Sequence, residues 1–388
     1  MQDGVVIASA VRTPVGKFGR ALRDVSAQRL GSVVIKQALR RAAVRPDHVE
    51  QVVMGNVISA GLGQNPARQS AVEAGIPYSV TCFTLNEVCG SGLKSVMVAA
   101  QMIRAGDCQV VVAGGMESMS CAPHLLRGLR WGVKFGEVRV ADAMLSDGLW
   151  DVYGDYHMGM TGERVAEKFG VTRAEADEFA LRSHRKAAAA AKEGRFSEEI
   201  IPVTVDGTSL ESDECVREDT SLEKLTRLAP VFRKDGILTA GNSSQLSDGA
   251  AAVVVMSARR AEELAIKPLA RIVASADGGT RPEDAMEAPI HAVRRMLAQV
   301  RMTIGDIDLV EHNEAYAPAS IVVSRELAVP PEKFNVNGGA VALGHPIGCS
   351  GARILVTLVH ALKQRDLKRG LATLCIGGGN TVAMIVER

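Results

Sequence analysis

The sequence predicts an α/β fold of two similar halves carrying an inserted segment, and three observations predict it. Short apolar runs closed by glycine alternate with stretches of helical periodicity. The order of these elements near the N-terminus returns near the C-terminus. Between the two, composition shifts toward methionine, glycine, charge and turn residues.

Residues 5–10 read as the first strand, and a helix is expected from about 29 to 43, with Leu30, Val33, Val34 and Ala38 on one face. Residues 49–54 form the next strand. A helix follows Cys89, with Leu93, Val96, Met97 and Ala100 at helical spacing, and leads into the apolar strand 110–113 and Gly114-Gly115. Continuous apolar runs of this kind predict a mostly parallel sheet buried on both faces. Across 118–245 a helix over 173–193 and an extended stretch over 199–205 stand out. This segment is expected to lie over the core and to cover a substrate. The second half opens with a strand at 270–275 and a helix at 289–300, after which residues 305–310 echo 45–50. Ser350-Gly351 opens a helix carrying Leu355, Val356, Val359 and Leu362, as Ser91-Gly92 opens the earlier one. The strand 371–376 ends in Gly377-Gly378-Gly379 as the earlier strand ends in Gly114-Gly115. Duplication of one unit explains the echo. The expected division is 1–117 with 246–267 as the first half, 118–245 as the insertion and 268–388 as the second half.

A chain of 388 residues exceeds what one compact core usually serves. Its 45 Lys and Arg stand against 44 Asp and Glu, a balance that attracts neither nucleic acid nor an anionic membrane, so an anionic ligand must be bound locally. The N-terminal stretch lacks the pattern of a secretory signal, no apolar run is long enough to span a bilayer, and the final Val-Glu-Arg is no peroxisomal address. Seven cysteines without metal-ligand spacing suit reduced thiols, and the expected compartment is the cytoplasm.

Four side chains are candidates for chemistry. Cys89 precedes the helix opened by Gly90-Ser91-Gly92, whose backbone N–H groups favour a thiolate and bind a developing oxyanion. Cys375 ends a buried strand just before three glycines, where backbone approaches a ligand. His345, in Gly344-His345-Pro346, occupies in the second half the place of the stretch before Cys89, which suits a general base. Asn313 follows a strand end, where an amide orients a water or donates to an oxyanion.

Residues 86–93 around Cys89, the loop Asn313-Glu314-Ala315, the segment from Asn337 through His345 to Arg353, and Cys375-Ile376-Gly377-Gly378-Gly379 resemble the four signature blocks of the thiolase family. Arg12-Thr13-Pro14, His157-Met158-Gly159, residues 239–244 and 248–251 are similar to further family patterns, so the resemblance spans the chain. It implies a duplicated α/β/α/β/α fold and a reversible Claisen condensation of two acetyl-CoA to acetoacetyl-CoA and CoA. By resemblance Cys89 takes the acyl group, His345 draws off its proton and Cys375 removes the α-proton of a second acetyl-CoA. Asn313 then holds a water that, with His345, stabilises the enolate, and the N–H groups of Cys89 and Gly377 meet the other oxyanion. No cofactor is implied, because the coenzyme A thioesters are substrates.

The resemblance also assigns Leu149, His157, Met158, Arg217, Phe232, Ser243, Ser244, Leu246, Met286 and Tyr316 to substrate and CoA binding, with Met158 and Met286 lining a short acyl pocket. The partners implied are acyl-CoA and CoA, without nucleic acid or membrane, in a homotetramer clasped through residues 122–136 or otherwise a homodimer. This chain departs from the family with Asn380-Thr381 for the usual Met-Gly, Tyr316 for Phe, and Glu287-Ala288 after Met286. The alternatives are a degradative thiolase of broader chain length and a non-catalytic acyl-CoA-binding protein. A ketosynthase-like condensing enzyme is disfavoured, since it presents a second histidine where this chain has Asn313.

Overall fold

The structure, a computed structural model, describes residues 4–388. The first half runs β1 (Val5–Arg12), α1 (Ala27–Ala42), β2 (Gln51–Gly55), β3 (Thr81–Leu85), α2 (Ser91–Ala105) and β4 (Val110–Ser118). The intervening segment holds α3 (Gly159–Phe169) and α4 (Arg173–Lys192), and β5 (Ser247–Ser257) returns the chain to the sheet. The second half runs β6 (Ala270–Gly279), α5 (Ala288–Gln299), β7 (Leu309–His312), α6 (Ala317–Glu326), α7 (Ile347–Gln364), β8 (Arg369–Ile376) and β9 (Asn380–Glu387).

Strand order makes the duplication explicit. The strands run β7-β8-β9-β6-β1-β5-β4-β2-β3, so β6-β9-β8-β7 mirrors β1-β5-β4-β2 across a central seam. That seam is short, with Val6 and Ile7 paired to Arg271 and Ala270. Beyond β7 the counterpart of β3 shrinks to a single bridge between Val310 and Phe334. α2 and α7 both contact strands of both halves, while α1 covers the first half and α5 the second, which gives five layers.

Apolar periodicity dictates this layering. α1 is amphipathic and buries Leu30, Val34, Ile35 and Ala38 against the sheet, with Ser26 accepting from Arg29 N–H at its N-terminus. α7 is buried from Ile347 to Leu362, as an all-round apolar helix must be. It meets α2 at glycines: a side chain at Gly351 would lie inside van der Waals distance of Leu93, and one at Gly92 would lie 2.6 Å from Ala352 N. The helix axes therefore approach as only bare backbone permits.

The expectation of a mostly parallel sheet is corrected by the observed mixed pairing. Only β2–β3, β2–β4 and β7–β8 run parallel. β5 and β9 fold back antiparallel beside β4 and β8. The glycines after Cys375 cause one of these reversals, since they form the turn of the β8–β9 hairpin, and Gly378 and Gly379 take φ of +81° and +90°. The extended stretch expected over 199–205 is a strand only at Val203–Val205.

A buried ion cluster ties the intervening segment to the core. Arg12 at the end of β1 donates to Glu199 at 2.6 Å and to both oxygens of Asp213 at 2.7 and 2.9 Å. Removing one partner from such a cluster costs about 3–5 kcal/mol. Among the described residues, no helix is long and apolar enough to cross a membrane.

Candidate active site

The turn between β3 and α2 presents Cys89. Val88, a β-branched residue, adopts φ +46°, a conformation that L residues rarely take and that stores about 1–3 kcal/mol. Ser91 holds it, its hydroxyl accepting from Glu87 N–H at 2.8 Å and donating to Val88 O at 2.6 Å. Asn86 Oδ1 accepts from Val88 N–H at 3.0 Å. The tight turn places Cys89 just ahead of α2, and the bare face of Gly90 lets Ile376 at the end of β8 close on it.

That approach brings in the second half. The backbone N–H groups of Gly377 and of Cys89 itself both donate toward the Cys89 sulfur. Burial nevertheless outweighs these donors and pushes the thiol up to about 11. Cys375 is buried, and its thiol is raised further by burial and by the nearby charge that Cys89 would carry. Its Sγ lies 3.5 Å from Met286 Sδ. Met158 packs on the other side, its sulfur 3.6 Å from the position a Gly377 Cβ would occupy.

His345 reaches the site from the loop before α7, its N–H shared between Gln245 O at 3.0 Å and Ser247 Oγ at 2.9 Å. Ser350 Oγ donates to Pro346 O at 2.9 Å. Having committed its proton there, Ser350 accepts from His345 Nδ1–H at 2.5 Å. That network leaves Nε2 unprotonated, and Asn313 Nδ2 lies 3.4 Å from it. Burial, then the nearby Arg353, pulls the imidazole down to about 3, so it stands neutral with the Nε2 lone pair unprotonated. Asn313 Oδ1 is buried without a partner among the described residues, which suits it to bind a water.

A cleft of about 440 Å³ leads from the surface to His345. Leu149, His157, Arg217, Phe232, Ser243, Ser244, Leu246 and Tyr316 line it, which are eight of the ten expected binding residues. Met158 and Met286 do not: Met286 lies against the Cys375 sulfur and Met158 beside Gly377. His157 stacks on Phe232 with centroids 4.7 Å apart, and Phe232 meets Tyr316 edge-on at 5.9 Å. Arg217 donates to Gln245 Oε1 at 3.2 Å, placing a cation at the cleft of a nearly neutral chain.

Sequence reasoning passed over several supports of this geometry. Ser350 stood only as a helix opener, yet it sets the tautomer of His345. Glu117 accepts from Asn56 Nδ2 at 2.8 Å and from the N–H groups of Val57, Ile58 and Gly348 at 3.1, 3.2 and 3.0 Å. It thereby clamps the start of α7 to the first half, while burial raises its own carboxyl to about 7. A carboxylate closing the apolar run of β4 was the available signal. Glu163 braces the cleft wall, accepting from Ile237 and Leu238 N–H at 2.9 Å each.

Two family models match the chain, the thiolase N-terminal domain over residues 5–259 and the thiolase C-terminal domain over 266–388. The chain is 53% identical to the acetyl-CoA acetyltransferase of Cupriavidus necator, with 99% of each chain covered. It is 49% identical to the acetyl-CoA acetyltransferase of Pseudomonas aeruginosa over 100% of both. The crystal structure of the Bacillus anthracis acetyl-CoA acetyltransferase matches with a TM-score of 0.98 at 43% identity, covering 100% of this chain and 99% of that one.

Proposed function

The chain belongs to the thiolase family, and from that premise we propose that its acyl transfer proceeds through an acetyl group carried on Cys89. It is an acyltransferase with thiolase activity, joining two acetyl-CoA into acetoacetyl-CoA and CoA and running the reverse. His345 Nε2 takes the Cys89 proton as the sulfur attacks the first thioester. His345 passes that proton to the departing CoA sulfur and then takes one from Cys375, whose thiolate removes the α-proton of the second acetyl-CoA. The enolate is met by the His345 imidazolium N–H and by a water on Asn313, and it attacks the acetyl group on Cys89. The resulting oxyanion lies against the N–H groups of Cys89 and Gly377, where losing one donor costs about a hundredfold or more in rate. Collapse releases acetoacetyl-CoA, and His345 returns its proton to Cys89.

The observation that carries this reading is the approach of Cys89, Gly377 and Cys375 from two different halves, with Cys89 packed in one cluster with Leu149, Leu246 and Ile347 of the cleft that His345 also lines. Met286 against the Cys375 sulfur and Met158 beside Gly377 favour a short acyl group over the longer chains of a degradative enzyme. Thiolysis of acetoacetyl-CoA and of longer 3-oxoacyl-CoA substrates tests this, with the larger kcat/KM expected for acetoacetyl-CoA. A preference for the longer chains would sink the short-chain reading.

The assembly proposed is a homotetramer. The hairpin of His124–Leu126 and Val140–Asp142 carries a loop that exposes Leu129, Trp131 and Phe135, apolar area suited to a partner copy. The compartment proposed is the cytoplasm, a reading supported by seven cysteines that are all free.

A further inference from the structure

Four polar side chains interrupt the apolar surface of α7 between Ile347 and Leu362, and all four fall on one face. Ser350, Arg353, Thr357 and His360 follow one another at steps of three and four residues, the spacing that sets side chains about 5–6 Å apart along a helix. All are buried. Each meets a polar group from elsewhere in the chain. Ser350 accepts from His345 Nδ1–H at 2.5 Å, Arg353 Nη1 lies 3.8 Å from Glu311 Oε2, and Thr357 donates to Glu199 Oε1 at 3.1 Å. His360 Nε2 donates to Ala10 O at 2.9 Å, and its Nδ1 lies 3.7 Å from Glu198.

Both ends of this face open on cavities. At its start His345 and Ile347 line the cleft. At its end His360 and Lys363 line a second cavity of about 440 Å³, where Lys363 and Glu198 are half-exposed to solvent. Between the two, polar atoms outnumber their partners. Arg353 Nε, Nη1 and Nη2, both carboxyl oxygens of Glu311, Glu199 Oε2, His360 Nδ1 and, at the catalytic end, Asn313 Oδ1 are buried with no hydrogen-bond partner among the described residues. A guanidinium and a carboxyl group 3.8 Å apart do not satisfy each other, and polar groups buried in this way are satisfied by ordered water.

We propose that this face of α7 is a hydrated track along which the catalytic centre exchanges protons with solvent while CoA fills the cleft. The inference rests on the role proposed above for Cys375. The proton that Cys375 takes from the α-carbon is traded, through His345 and the water on Asn313, for one that arrives along the track from the far cavity. The sulfur then returns the new proton to the enolate carbon, so only bonds to hydrogen break and form and the charge is unchanged. Arg353 keeps its own protons and orders the waters that carry the others.

The test uses the full-length Cys89→Ala enzyme, which accepts no acyl group, with acetyl-CoA in deuterium oxide, and reads the label in the acetyl group by mass spectrometry at early conversion. Acetyl-CoA carrying more than one deuteron is expected from the start, since one stay in the cleft permits repeated exchange. Adding Thr357→Val, which puts a methyl group in place of the hydroxyl at the middle of the face, is expected to abolish the multiply labelled product and leave the singly labelled one. Thr357→Ser, which keeps the hydroxyl, is expected to retain both. A Thr357→Val pattern that matches Cys89→Ala alone, a Thr357→Ser pattern that loses multiple labelling, or singly labelled product alone from Cys89→Ala overturns the track while the Cys375 role stands. No deuterium incorporation by Cys89→Ala overturns that role and the track together.

Discussion

At Cys89 two effects oppose each other. Two backbone N–H groups and the start of α2 favour a thiolate, but removal of the sulfur from water disfavours it more, and the thiol stands at about 11. Reactivity without substrate must therefore climb with pH, because the thiolate fraction grows about tenfold per pH unit below the pKa. Iodoacetamide modification of Cys89, followed by peptide mass mapping, should accelerate throughout pH 7–10, and a plateau below pH 8 would contradict the assignment. Cys89, His345 and Cys375 stood out in the sequence because each lies beside glycines at an element boundary, and Asn313 because it follows a strand end. Ser350 and Glu117 were not, since their roles depend on partners that only the tertiary fold supplies: Pro346 and His345 for one, Asn56 and Gly348 for the other.

At the scale of elements, periodicity located α1, α2, α4, α5 and α7 but not the short helices α3 and α6. The helix expected over 173–193 is Arg173–Lys192, started by a capping box between Thr172 and Glu175. Strand direction was another matter, because an apolar run reads alike whether its neighbours run parallel or antiparallel. Gly377-Gly378-Gly379 signals a ligand-facing turn in either case, and only the fold shows that it is a hairpin. The 124–142 hairpin carries its own prediction. Replacing Trp131 and Phe135, which are 84% and 100% exposed, with serine removes apolar area that only a partner would bury. In sedimentation the proposed tetramer should give way to a dimer, and a variant that stays tetrameric would mean that this loop is not the clasp.

For the whole molecule, duplication is what makes the site. Cys89 precedes the central helix of the first half and Cys375 ends a strand of the second, so the two halves each contribute a cysteine, with Gly377 of the second half donating toward Cys89. The five-layer order follows from α2 and α7 being apolar enough to be buried between the two halves of the sheet, with glycines where they touch. A near-neutral chain offers an anionic thioester no general field, and the proposed site is the local cleft that Arg217 lines. The division of labour between the two sulfurs is the central claim, and radiolabelled acetyl-CoA tests it most directly. With Cys375→Ser, peptide mapping should find the label retained on Cys89 and no acetoacetyl-CoA formed. Normal condensation by that variant, or label on any residue other than Cys89, would contradict the account.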